Sequence, residues 1–152
     1  MATIYGLNHT AAYVTNGGGG KYPIGEKNGR VRCMYDQITL AADAASADIV
    51  KFGVLPAGAR VLRAMLQTSG DLGGTGTLKL GYPATTADVA DDDAFHTGAD
   101  ASGQALALTA GTGAAIVKKK FTVDTPVELT FSGATSGATA AIIYCSIEYV
   151  VE

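Results

Sequence analysis

An antiparallel all-β sandwich preceded by an extended N-terminal arm is the architecture this sequence predicts, and three observations carry the prediction. From position 31 onward, short runs alternate apolar with polar residues and favour β-branched and aromatic side chains, the pattern of half-buried strands. Clusters of glycine, alanine and threonine separate those runs, at the spacing of about 8–12 residues expected of a sandwich. Residues 1–30 share neither feature, so the chain divides into an arm, 1–30, and a body, 31–152. A chain of 152 residues suits one domain and is short for two.

The arm holds Tyr5, Tyr13 and Tyr22 without a sustained period, and the stretch NGGGGKYP at 16–23. Four glycines and a lysine invite comparison with a phosphate-binding loop. That loop needs glycine, four residues, glycine, lysine and then serine or threonine, set between a strand and a helix. Counting back from Lys21, the first glycine position holds Thr15; the hydroxyl position holds Tyr22, and Pro23 and Gly25 oppose a helix. The stretch therefore reads as flexible chain whose backbone can lie close against a neighbour.

In the body, VRCMYDQITL (31–40) and DIVKFGVL (48–55) read as strands, bridged by AADAASAD. LPAG is a tight turn, with Pro56 fixing φ and Gly58 closing it. ARVLRAML (59–66) fits a helix face through Val61, Leu62, Met65 and Leu66, and a strand with Leu62, Ala64 and Leu66 inward. The short strands around it decide for strand. SGDLGGTGT leads to TLKLGY, where Leu78, Leu80 and Tyr82 share a face. GADASGQ and TAGTG are connections, and AAIVKKKFTV is a further strand. Its run Lys118–Lys120 reads as a solvated edge, with Lys119 on the face opposite its neighbours. In TPVELTFSG, Val127, Leu129 and Phe131 oppose Glu128 and Thr130; in the final run, Ile143, Cys145, Ile147 and Tyr149 align. GATSGAT between these two runs predicts an antiparallel hairpin.

Composition narrows function. Charged residues make up 16% of the chain, against about 25% in ordinary domains, which suits a protein packed against copies of itself or a partner. The net charge of −3 is uneven: four basic residues against one acidic up to Tyr35, and seven against thirteen beyond it. A mildly basic arm on an acidic body fits docking onto an acidic surface, while nucleic-acid binding is disfavoured. Cys33 and Cys145 lie in apolar runs and read as buried free thiols. No apolar stretch approaches the ~20 residues of a membrane span, and no signal peptide is evident, so a soluble protein made in a reducing cytoplasm is expected.

Sites of chemistry are scarce. The acidic segment 88–100, with Asp88, Asp91, Asp92, Asp93, His96 and Asp100, lacks the alternation and central glycine of an EF-hand loop and the histidines or cysteines of a zinc site. It reads as a solvated loop at the rim of the sandwich, with calcium at a subunit interface the alternative left open. His9 and His96 are the only histidines, one in the arm and one in that loop. There is no G-x-S-x-G elbow and no tryptophan to stack on a sugar. The expectation is no catalytic residue, no cofactor and no resident metal.

The stretch DIVKFGVLPAGARVLRAMLQTSGDLGGTGTLKLGYP, 48–83, resembles small structural proteins of tailed bacteriophages, the head-decoration or cement proteins. The likeness is one of pattern and composition over roughly 31–152. It implies a jelly-roll-like sandwich on the capsid exterior of the virion, a homotrimer or dimer that bridges capsomers of the major capsid protein, with no catalysis. The basic, tyrosine-bearing arm then supplies the docking residues: Tyr5, Tyr13, Lys21, Tyr22 and Arg30, since tyrosine and arginine are common interface anchors. A carbohydrate-binding or host-attachment module, a head-tail joining protein and a weak glycoside hydrolase are the competing readings.

Overall fold

The computed structural model of the chain describes residues 30–74, 77–100, 108–109 and 119–152. Among them run eight strands: β1 (Arg32–Thr39), β2 (Ile49–Leu55), β3 (Ala59–Thr68), β4 (Thr77–Tyr82), β5 (Asp91–Asp100), β6 (Leu108–Thr109), β7 (Thr125–Phe131) and β8 (Ile142–Val151). None of the described residues is helical.

The pairing follows one rule. The first strand pairs with the last, the second with the seventh, the third with the sixth and the fourth with the fifth, all antiparallel. This is a long double ribbon that turns back on itself between β4 and β5. Rolling the ribbon sets β8 beside β3 and β7 beside β4, which produces two sheets of order β1-β8-β3-β6 and β2-β7-β4-β5. Eight strands in two sheets wound this way are a jelly roll, so the all-β sandwich expected from the sequence is the fold.

One connection departs from expectation. β7 and β8 do not form a hairpin: they belong to opposite sheets, and GATSGAT crosses the sandwich. The apolar rows decide this. Val127, Leu129 and Phe131 on β7, like Ile143, Cys145 and Ile147 on β8, are almost wholly buried, because the rows face one another through the core between the sheets. The crossing segment is tied to the β1–β2 connection, which crosses beside it. Thr135 N–H donates to Ala44 O at 2.9 Å, Ala44 N–H to Thr135 Oγ1 at 2.8 Å, and Ala140 N–H to Leu40 O at 2.8 Å. Ala138 N–H reaches the Asp43 carboxylate at 2.7 Å.

β3 is a strand, as expected, but its phase slips. Its register with β8 shifts between Val61 and Arg63, a bulge that turns Leu62 out to 47% exposure while Ala59, Val61, Ala64 and Leu66 are buried. Alternation counted straight through therefore places Leu62 on the wrong face. The turn before β3 places Gly58 at φ 85°, with Ala59 N–H donating to Pro56 O at 3.0 Å, so the glycine supplies a left-handed position. Beside that turn, Arg60 Nε and Nη2 donate to the two carboxylate oxygens of Glu152 at 2.9 and 3.0 Å.

The cysteines divide. Cys145 is buried, and burial pushes its thiol up to about 12. Cys33 is exposed, contrary to expectation, because it lies on the outward row of an edge strand.

Candidate functional site

Three features of the surface carry polar or aromatic groups in fixed relation. The first is the outer face of the β1-β8-β3-β6 sheet. Ser146 on central β8 lies opposite Tyr35 of β1 on one side and Met65 of β3 on the other. A small residue between two large ones makes a floor with walls. Tyr35, Met65, Gln67, Tyr144 and Ser146 accordingly line a groove of about 320 Å³, continued by a hollow of about 90 Å³ beside Arg63 and Glu148. Tyrosine gives a large amphipathic contact area around a polar floor, and methionine an adaptable one.

The outer face of the second sheet is different. Lys51 pairs with Glu128 at 3.4 Å, and Lys79 with Asp92 at 3.2 Å. These charges answer one another within the sheet and, being partly exposed, contribute little stability.

The third feature is the acidic segment. From Asp91 onward it is not a loop but strand β5. Pairing with β4 recruits it: Phe95 enters the core, where Tyr82, Phe95 and Phe121 stack with centroids 5.3–6.2 Å apart. Nor is Lys119 solvated. Its ammonium meets Asp88 at 2.9 Å, donates to the Tyr82 hydroxyl and lies 4.4 Å from the Tyr82 ring centroid. Desolvation works against that charge, but the hydrogen bonds to Tyr82 and Asp88 outweigh it and hold the Lys119 pKa above the ordinary lysine value.

Carboxylate oxygens of Asp91, Asp92 and Asp93 approach within 4.8 Å of one another. All three groups already have partners: Asp92 holds Lys79, and Asp91 and Asp93 hydrogen-bond each other. Desolvation and then that bond raise the Asp91 pKa above the usual carboxylate value. A carboxyl raised in the folded state is more easily ionised unfolded, so its ionisation works against folding at neutral pH and the penalty disappears on acidification. Asp91→Asn should therefore raise the thermal midpoint at pH 7, with the gain vanishing near pH 3; calorimetry at the two pH values measures it. His96 lies on β5, and among the described residues neither ring nitrogen has a hydrogen-bond partner. Burial pushes its pKa down.

Of the docking residues expected from the sequence, Arg30 is exposed immediately before β1. Tyr5, Tyr13, Lys21 and Tyr22 lie outside the described residues, as does His9. The groove on the first sheet escaped sequence reasoning. Its signal was present in the outward residues of three strands, but those strands are far apart in the chain.

No protein-family model matches this chain, and no curated protein does. Solved structures do. A chain of the capsid of Ralstonia phage GP4 has a TM-score of 0.67 and 24% identity, over 87% of this chain and 91% of that one. A chain of the capsid asymmetric unit of cyanophage Pam1 has a TM-score of 0.66 and 19% identity, over 82% of this chain and 86% of that one. A chain of the acid-stable capsid of Helicobacter pylori bacteriophage KHP30 has a TM-score of 0.55 and 13% identity, over 80% and 87%. What these chains share with this one is the jelly roll.

Proposed function

We propose that this chain is a virion structural protein of a bacteriophage that binds the outside of the capsid and cements neighbouring capsomers without catalysis. The observation that carries the reading is the extent of the structural likeness. In each of the three capsids the match covers 86–91% of the similar chain, so a single jelly roll of about this length is nearly all that each of those chains contains. A chain this small, low in charge and bearing an adaptable tyrosine-methionine groove suits repeated attachment to a larger lattice. The partners are the major capsid protein and further copies of itself, in dimers or trimers.

The arm is the second element of the proposal. Tyr5, Tyr13, Lys21, Tyr22 and Arg30 anchor it to an acidic shell, and several arms on one oligomer add avidity. Counting copies per purified particle against the major capsid protein, by quantitative mass spectrometry, tests the first element. Hundreds of copies support cementing; about a dozen would move the chain to a portal vertex or a fibre, and none would end the virion reading. Removal of residues 1–30 tests the second. The shortened body should remain folded and lose binding to isolated shells, and undiminished binding would overturn the role of the arm.

A further inference from the structure

We propose that β1 is the strand through which two copies of this chain pair, antiparallel about a twofold axis at Met34, so that their β1-β8-β3-β6 sheets join edge to edge. The inference goes beyond capsid binding and stands without it.

An edge strand presents a row of unpaired N–H and C=O groups, and proteins usually blunt such edges with bulges, lysine, proline or short length. Among the described residues, three of the four sheet edges are blunted. β6 has only two residues. β5 opens with three aspartates, and its ladder to β4 shifts register twice. β2 carries Lys51 and a shift between Lys51 and Val54. β1 has none of this: its eight residues run in unbroken register with β8, from Arg32 opposite Tyr149 to Thr39 opposite Ile142. It contains no lysine, proline or glycine.

The flank around that edge is apolar. β1 and β2 are the edges of their sheets on the same side of the sandwich. Exposed large apolar residues gather there: Val31 at 55% and Tyr35 at 62% at β1, Ile49 at 54% and Val54 at 53% on β2.

Asp36 selects the occupant. It lies between Met34 and Ile38, which pack against the core, so it occupies the inward row of the edge strand. Its one hydrogen bond among the described residues is from the Gln37 N–H at 2.8 Å. A charge in that row repels an incoming strand unless the strand brings a cation opposite it. Antiparallel self-pairing must set residues of the same face opposite one another, which leaves few registers. Centred on Asp36, two aspartates meet; centred on Tyr35, Asp36 meets Met34. Centred on Met34, each Asp36 meets Arg32 of the second copy, twice per interface, and each Cys33 meets Tyr35. Among registers that pair Asp36 with a residue of β1 itself, only this one turns the guarding carboxylate into an attraction, and a second copy of the chain supplies the cation.

Sedimentation equilibrium on the full chain tests this. The wild type should show twice the chain mass. Arg32→Asp and Asp36→Arg should each weaken the dimer about tenfold or more, since each creates two like-charge pairs. The double variant R32D/D36R restores opposite charges and should recover the dimer, which a folding defect would not do. Tyr35→Cys should form a disulfide to Cys33 of the second copy on mild oxidation, and Y35C/C33S should not. A monomeric wild type, a trimer indifferent to both swaps, absence of rescue in the double variant, or cross-linking of Y35C/C33S would each overturn the proposal. None of these outcomes bears on the copy count per particle, so capsid binding is judged separately.

Discussion

Phe121→Ala should destabilise the fold by about 3–5 kcal/mol, a large share of the roughly 5–15 kcal/mol that holds a typical domain folded. Phe121 is wholly buried. Its ring lies edge-on to Tyr82 at 5.3 Å and 84° and is 6.2 Å from Phe95, so it joins the β4 and β5 aromatics to the segment entering β7. Its backbone is held independently: Phe121 N–H donates to Ala59 O at 2.9 Å, and Gly58 N–H donates to Phe121 O at 2.7 Å. Those bonds survive truncation at Cβ, so the loss measures the ring and the cavity it leaves. Urea denaturation should show a lower midpoint with an unchanged slope. A loss under 1 kcal/mol would mean that the aromatic cluster is not the keystone of this end of the roll.

Gly73→Ala should cost about 2–5 kcal/mol by two separate mechanisms. Gly73 has φ 60°, and an L side chain there costs about 1–2 kcal/mol. An added Cβ would also lie 2.0 Å from the carbonyl oxygen of Ser136, a backbone atom with no rotamer to retreat into, which adds about 1–3 kcal/mol of overpacking. The close approach is built into the roll, because the β3–β4 loop runs beneath the segment crossing from β7 to β8. Ser136 N–H donates to Leu72 O at 3.0 Å, and Leu72 is buried at 1% exposure. Gly70, in the same loop, has no atom within 4 Å of its would-be Cβ. Gly70→Ala is therefore the control, expected within about 0.5 kcal/mol of wild type. Equal effects at both positions, read by thermal unfolding, would reject the account.

The residues that resisted sequence reasoning share a cause. Alternation is a local property, so it was legible wherever a strand is regular: Leu78, Leu80 and Tyr82, Val127, Leu129 and Phe131, and Ile143, Cys145 and Ile147 are all buried, as their spacing predicts. It failed at Leu62, where a bulge against β8 resets the phase, and at Asp91–Asp93, whose charges suggested a loop until pairing with β4 made them strand. For Lys119, alternation set it apart from its neighbours, but its partners, Asp88 and Tyr82, lie more than thirty positions earlier. The groove is the same case in space, since Tyr35, Met65 and Ser146 form one row only after three distant strands share a register.

By itself, the sequence determined the all-β class and the inward rows of the regular strands, because each follows from residue type and the period of two. Only the tertiary structure decided which sheet each strand joins. A glycine- and threonine-rich segment such as GATSGAT can close a hairpin or cross a sandwich, and its local preferences do not separate the two. The choice falls to the burial of the rows on β7 and β8, which is greatest when they face each other across the core, and to the hydrogen bonds that tie this crossing to the one beside it.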